Sequence, residues 1–229
     1  MCFYYLILGH ILGDFTFQTD RIARNKNVDF KWNLIHSFIV MACMLLFSIP
    51  FGINVSLLVV VSSVLHFIID LYKSKINAKN NLQSLIYFLM DQAIHITIIY
   101  IVSLFSDKNL AIGMAYNITL FFPLALAFTV SFGGILVQYI LKIFFFSYDS
   151  FFNGSEKIVG QIMRLLFFII MYFSFQSSLL YLTALPLVIL IEIIYYNRSF
   201  KAWMGPDYFT VMNLLNLSIS VLGLYFISV

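Results

Sequence analysis

MCFYYLILGHILGDFTFQ, residues 1–18, is one apolar run interrupted by two ionisable side chains, His10 and Asp14, set four residues apart. That spacing is about one helical turn, so the pair shares a face of a helix otherwise suited to lipid. The run has no basic leader and no small-residue cleavage site, which reads as a retained helix rather than a signal peptide. The whole chain has the same character: 62% hydrophobic residues, 10% charged residues and a mean hydropathy of +0.97. A water-soluble fold has too little polar surface to cover that much apolar area. The expectation is an all-α, polytopic transmembrane helical bundle, a single transmembrane domain over residues 1–229.

At about 20 residues per span, the charged and Asn/Gly/Pro-rich breaks divide the chain into about eight. They are Met1 to Phe17, Trp32 to Ile49, Val55 to Leu71, Leu82 to Phe105, Ile112 to Leu136, Ile158 to Phe175, Leu179 to Tyr196, and Phe209 to Ile227. The fifth region runs on apolar to Phe146 through Gly133 and Gly134, which reads as a span followed by an interfacial helix. Residues 1–105 form a four-helix half bearing His and Asp; residues 106–229 form a less polar second half. Cys2 and Cys43 make neither a disulfide framework nor a CxxC metal motif.

Lys and Arg mark the cytoplasmic loops. They gather as Arg21, Arg24, Lys26 and Lys31 in the first loop, Lys73, Lys75 and Lys79 in the third, Lys142 and Lys157 in the fifth, and Arg198 and Lys201 in the seventh. The even loops hold only Lys108, beside Asp107. This alternation fits eight spans in a bacterial inner membrane with both termini external. With no basic stripe of interleaved aromatics, it points to topology and away from nucleic acid.

The four histidines, His10, His36, His66 and His95, all lie in or beside the first four spans. Three are paired at four-residue spacing: His10 with Asp14, His66 with Asp70, and Asp91 with His95. Alternating span direction brings all seven groups to a similar depth near the cytoplasmic boundary. Ionisable groups inside a span are costly unless they face one another, a cavity or an ion. Mixed imidazole and carboxylate donors suit a divalent transition metal, Zn first, with Fe or Mn the other candidates. The expected ligands are His10, Asp14, His66, Asp70 and His95, with Asp91 and His36 as catalytic base or ligand-orienting groups. Gln18 and Gln92 border the cluster and are read as substrate-binding, or as interhelical glue. Gly9 and Gly13 form a GxxxG pattern that lets a neighbouring helix approach. Glu192 is a remote acidic group in the seventh span.

GHILGDFTFQTD followed by ARNK, then the span-opening His36, then HFIIDLYK and DQAIH, resembles a bacterial membrane family catalogued as domain of unknown function 3307. Later stretches, GSEKIVGQIMRLL from Gly154 and PDYFTVMNLL from Pro206, resemble weaker versions of that family's C-terminal motifs, with Met163 where an acidic residue is usual before the arginine and Met212-Asn213 where Gly-Thr is usual. The resemblance implies a shared architecture and His/Asp cluster, and names no reaction. A more distant similarity, by analogy, is to membrane-bound metal-dependent hydrolases. The expected activity is hydrolysis of a lipid or other amphiphilic substrate at the cytoplasmic leaflet, with membrane lipids, a second copy or a cytoplasmic protein as partners. The alternatives are a cation or proton transporter using the same groups, and a non-catalytic membrane subunit.

Overall fold

The computed structural model of the protein describes residues 1–76, 78–106, 118–145, 154–174 and 206–228. All regular structure among them is helical. In chain order the helices are α1 (Cys2–Ile11), α2 (Asp20–Asn25), α3 (Phe30–Ser48), α4 (Ile53–Lys73), α5 (Asn81–Ser103), α6 (Ile118–Ala127), α7 (Gly133–Phe144), α8 (Gly154–Ser174) and α9 (Pro206–Ser228). A π-turn over Leu12–Thr16 extends α1, and a second, over Phe128–Phe132, precedes α7. Local chemistry sets the starts. The Thr19, Asp29 and Asn80 side chains accept from the backbone N–H groups of Ile22, Lys31 and Gln83, capping α2, α3 and α5. Gly52, at φ 95°, turns the chain between α3 and α4 in a conformation that costs glycine little.

Five stretches are long and apolar enough to cross a membrane: Phe30–Phe51, Ile53–Lys73, Asn81–Ser103, Leu120–Phe144 and Pro206–Leu224. They correspond to the expected second, third, fourth, fifth and eighth spans. Ile158–Phe173 is a shorter apolar helix. The first expected span is shorter still: α1 and its π-turn cover about 22 Å at 1.5 Å per residue, less than a bilayer's apolar core of about 30 Å. The seventh, Leu179 to Tyr196, and Glu192 with it, lie outside the described residues.

Two compact units divide the chain, Met1–Ala127 and Phe128–Val229. The first therefore runs past residue 105 to take in α6, whose Phe121 packs edge-on against Tyr4 of α1. In this unit α1 packs on α3 and α5, and α4 also packs on α3 and α5, closing a four-helix ring. One end of the ring is apolar, built from Leu6, Val40, Met44, Phe51, Val55, Val59, Ile99 and Val102. The other end is polar, because α1 and α4 contribute His10, His66 and Asp70 from their C-terminal halves, α3 contributes His36 from its N-terminal half, and α5 contributes Asp91 and His95 from its middle. Phe38, Leu57, Val61, Ile94 and Ile101 face outward, exposed, as lipid-facing positions should.

The second unit packs α9 against α7 and α8 around Val137, Leu141, Tyr208, Met212 and Ile219. Thr129, Arg164, Asn216 and Ser220 are buried within it.

Candidate metal centre

The polar end of the ring rests on a close helix contact. A Cβ on Gly13 would lie 2.6 Å from Val40 Cα, and one on Gly9 3.0 Å from Met44 Cα, so only glycine lets α1 sit this tightly on α3. The GxxxG pattern thus serves helix packing, and that packing sets Asp14, in the π-turn, against His36 of α3. π-turns recur at functional sites because the extra residue in the turn redirects a side chain.

His10, Asp14, His36, His66, Asp70, Asp91 and His95 are all buried, each at most 5% exposed. His36 is central. Its Nε2 lies 3.0 Å from Asp14 Oδ1, 3.5 Å from Asp70 Oδ2 and 3.4 Å from His66 Nε2. The other ring nitrogen of His66, Nδ1, lies 3.3 Å from His95 Nδ1. Two sets of side chains bring donor atoms within 4.8 Å of one another: Asp14, His36 and His66, and His66, Asp70 and His95. Ligands at 2.0–2.1 Å around a tetrahedral zinc stand about 3.3 Å apart, close to the spacings around His36 Nε2. The donor set therefore fits a divalent transition ion. Two further atoms support the fit: Asp91 Oδ1 and His95 Nε2 are buried, 3.4 Å apart, and neither makes a hydrogen bond.

The expected roles shift when the distances are read. His36, expected as a base or orienting group, sits inside the first set. His10, expected as a ligand, lies outside both; its Nε2 is 3.5 Å from Gln92 Oε1 and 3.8 Å from Asp14 Oδ2. Gln92 donates to Asp14 Oδ2 at 3.1 Å and to Asp91 Oδ2 at 3.2 Å, tying α5 to the π-turn. Gln18 fits best with its amide nitrogen donating to the Asp14 carbonyl oxygen at 3.1 Å and its oxygen accepting from Lys26 Nζ at 2.9 Å. That orientation also sets the Gln18 oxygen toward His36 Nδ1, which helps to fix the orientation of the ring. Both glutamines thus orient the cluster.

Two lysines and one asparagine went unread as site residues. Lys26 Nζ lies 3.0 Å from His36 Nε2, 3.3 Å from Asp70 Oδ2 and 3.6 Å from Asp14 Oδ1. α2 delivers it: buried Ile22 is the inward-facing residue, and Lys26 follows four positions later on the same face, while Arg21 and Arg24 are exposed. Burial alone would lower the Lys26 pKa, but the Asp70 and Asp14 carboxylates together raise it above the ordinary value, so the ammonium stays charged. Lys73 pairs with Asp91, and its position three residues after Asp70 on α4 was a legible signal. Asn33 is fully buried one turn before His36, with no side-chain hydrogen bond. Three carboxylates thus face two ammonium groups, leaving one negative charge for an imidazole proton or a bound cation.

No curated protein and no solved structure matches the chain significantly. The family match stops short of the later stretches from Gly154 and from Pro206, and it takes in α1 through α5 with every residue of the cluster. It runs over residues 2–122 of 229, more than half of the chain, and places the protein in the family described as Protein of unknown function (DUF3307).

Proposed function

We propose that the protein is a multi-pass membrane hydrolase that uses a divalent transition ion, zinc in the first instance, on a lipid or other amphiphilic substrate. The observation that carries this reading is the convergence of Asp14, His36 and His66, and of His66, Asp70 and His95, with donor atoms spaced as ligands of one ion are spaced. In this reading Asp14, His36, His66, Asp70 and His95 hold the ion, and His10 and Gln92 orient Asp14. Asp91, with one oxygen on Lys73 and the other free of hydrogen bonds, takes up the proton released in hydrolysis. When bound, a divalent ion supplies Lewis acidity and a hydrolytic nucleophile near neutral pH.

Membrane placement belongs to the same proposal. Five membrane-length stretches, Ile158–Phe173, the apolar residues 179–196 and the short α1, which a locally thinned bilayer accommodates, make eight crossings. The basic odd-numbered loops set the cluster near the cytoplasmic face of a bacterial inner membrane, with both termini outside. The apolar packing that fills the far half of the ring weighs against a proton or cation path through it.

Elemental analysis of the purified protein tests the reading. A stoichiometric transition ion is expected in the wild type. His36→Ala and His66→Ala should each empty the site, and the double variant should do no more. His10→Ala should keep most of the metal. A wild type without stoichiometric metal, and with a melting temperature indifferent to chelator, overturns the proposal. Release of product from a panel of phospholipid and acyl-ester substrates, lost in Asp91→Asn with metal retained, separates catalysis from binding.

A further inference from the structure

The second unit carries a charge that nothing described within it balances. Arg164 is 4% exposed on α8, inside the apolar stretch Ile158–Phe173. Its Nε and Nη2 donate to the carbonyl oxygen of Val130, at 3.3 and 3.2 Å, and its Nη1 donates to Asn216 Oδ1 at 2.9 Å. Both acceptors are neutral, and no carboxylate pairs with Arg164 among the described residues. A guanidinium has five N–H groups and stays ionised in proteins. Three are used among the described residues, leaving one on each terminal nitrogen.

Those two nitrogens abut glycines. A Cβ on Gly134 would overlap Nη2, and one on Gly160 would lie 3.2 Å from Nη1. A cavity of about 30 Å³ opens at the same place, lined by Gly134, Gln138, Gly160, Arg164, Tyr208 and Met212 among others. Nearby, Asn216 Nδ2 is buried with no acceptor. A structural staple for the π-turn would need only the bonds to Val130. It would need neither the residual donors nor the cavity beside them. Buried charges are paired, and donors in excess around a cationic cavity complement an anion.

We propose that Arg164, presented between Gly134 and Gly160, is an anion-binding site that takes a small inorganic anion or one anionic oxygen of a lipid headgroup as its counter-charge. The cavity admits an occupant no larger than this. The site lies within the second unit, whereas the His/Asp cluster belongs to the first.

The test uses the full chain in an uncharged detergent with gluconate as the only starting anion. Chloride or inorganic phosphate is added in one arm, and mixed micelles containing phosphatidylglycerol in the other. The melting temperature of the wild type should rise by on the order of 5 °C at about a hundredfold excess over half-saturation. Arg164→Gln should show no rise. A response in the first arm assigns a free ion, and a response only in the second assigns a headgroup. A wild type unmoved in both arms overturns the proposal, as does an equal rise in Arg164→Gln. Should that variant fail to fold, the wild type still decides: one equivalent of radiolabelled phosphate or chloride, or of co-purified anionic lipid, supports the site, and none overturns it.

Discussion

Among the described residues, the two units bury polar groups with opposite charge remainders. In the first, Asp14 stands in a π-turn and joins two further carboxylates, four imidazoles and two ammonium groups, for a surplus of one negative charge. In the second, Val130 stands in a π-turn and offers its carbonyl to one guanidinium whose only other acceptor among the described residues is the neutral Asn216 amide, which leaves one positive charge unbalanced among them. Similar apolar packing surrounds both. The difference lies in what each must recruit, since a charge removed from water is stable only with a partner. The charge balance of the first unit leaves room for an imidazole proton or a cation, and that of the second, among the described residues, for an anion.

Four substitutions would break or sharpen that contrast. Asp70→Ala should have the largest effect, about 3–5 kcal/mol measured by denaturant or thermal unfolding, because it removes one of the two carboxylates that balance the buried Lys26 ammonium and with it the shared neighbour of His36, His66 and His95. Arg164→Gln, which removes an uncompensated charge, should cost less than Asp70→Ala when both are measured without added anions; the reverse order would mean that the second unit is already balanced. Gly13→Leu comes next, on the order of 3 kcal/mol, because the added side chain runs into the backbone of Val40 and pries Asp14 from His36. Bound metal should fall with it, and full metal content in that variant would detach the helix contact from the site. Lys26→Met should be the mildest, about 1–3 kcal/mol in metal-free protein. Added zinc should raise the melting temperature more in Lys26→Met than in the wild type, since no ammonium then shares Asp14 and Asp70. A smaller zinc response would assign Lys26 to holding the metal site in shape.

Much of the first unit was legible because helical periodicity carries it. His66 and Asp70, and Asp91 and His95, share faces by spacing alone, and the alternating direction of successive helices brings them level. The roles within the cluster were not legible, since they turn on ångström distances. His10 and His36 look equivalent as letters, yet His36 Nε2 touches Asp14, Asp70 and His66 while His10 turns to Gln92. Lys26 escaped because basic residues in a loop read first as topology markers, and the clue lay in its four-residue spacing from Ile22. Gly133 and Gly134 suggested a break in the fifth span, where the chain forms a π-turn ahead of α7. Gly134's contact with Arg164 has no local signature, because it joins residues thirty positions apart.

The position of Lys26 also bears on how the chain is made. Synthesis proceeds from the N-terminus, so Asp14 leaves the ribosome long before Asp70, Asp91 or three of the four histidines exist. A bare carboxylate on the nascent first segment would oppose its transfer from water into lipid. Lys26 follows only twelve residues later, at the C-terminal end of α2, and in the finished protein its ammonium lies 3.6 Å from Asp14 Oδ1. The growing chain thus carries the counter-ion for its first buried acid within the same hairpin, ahead of the helices that will complete the ring.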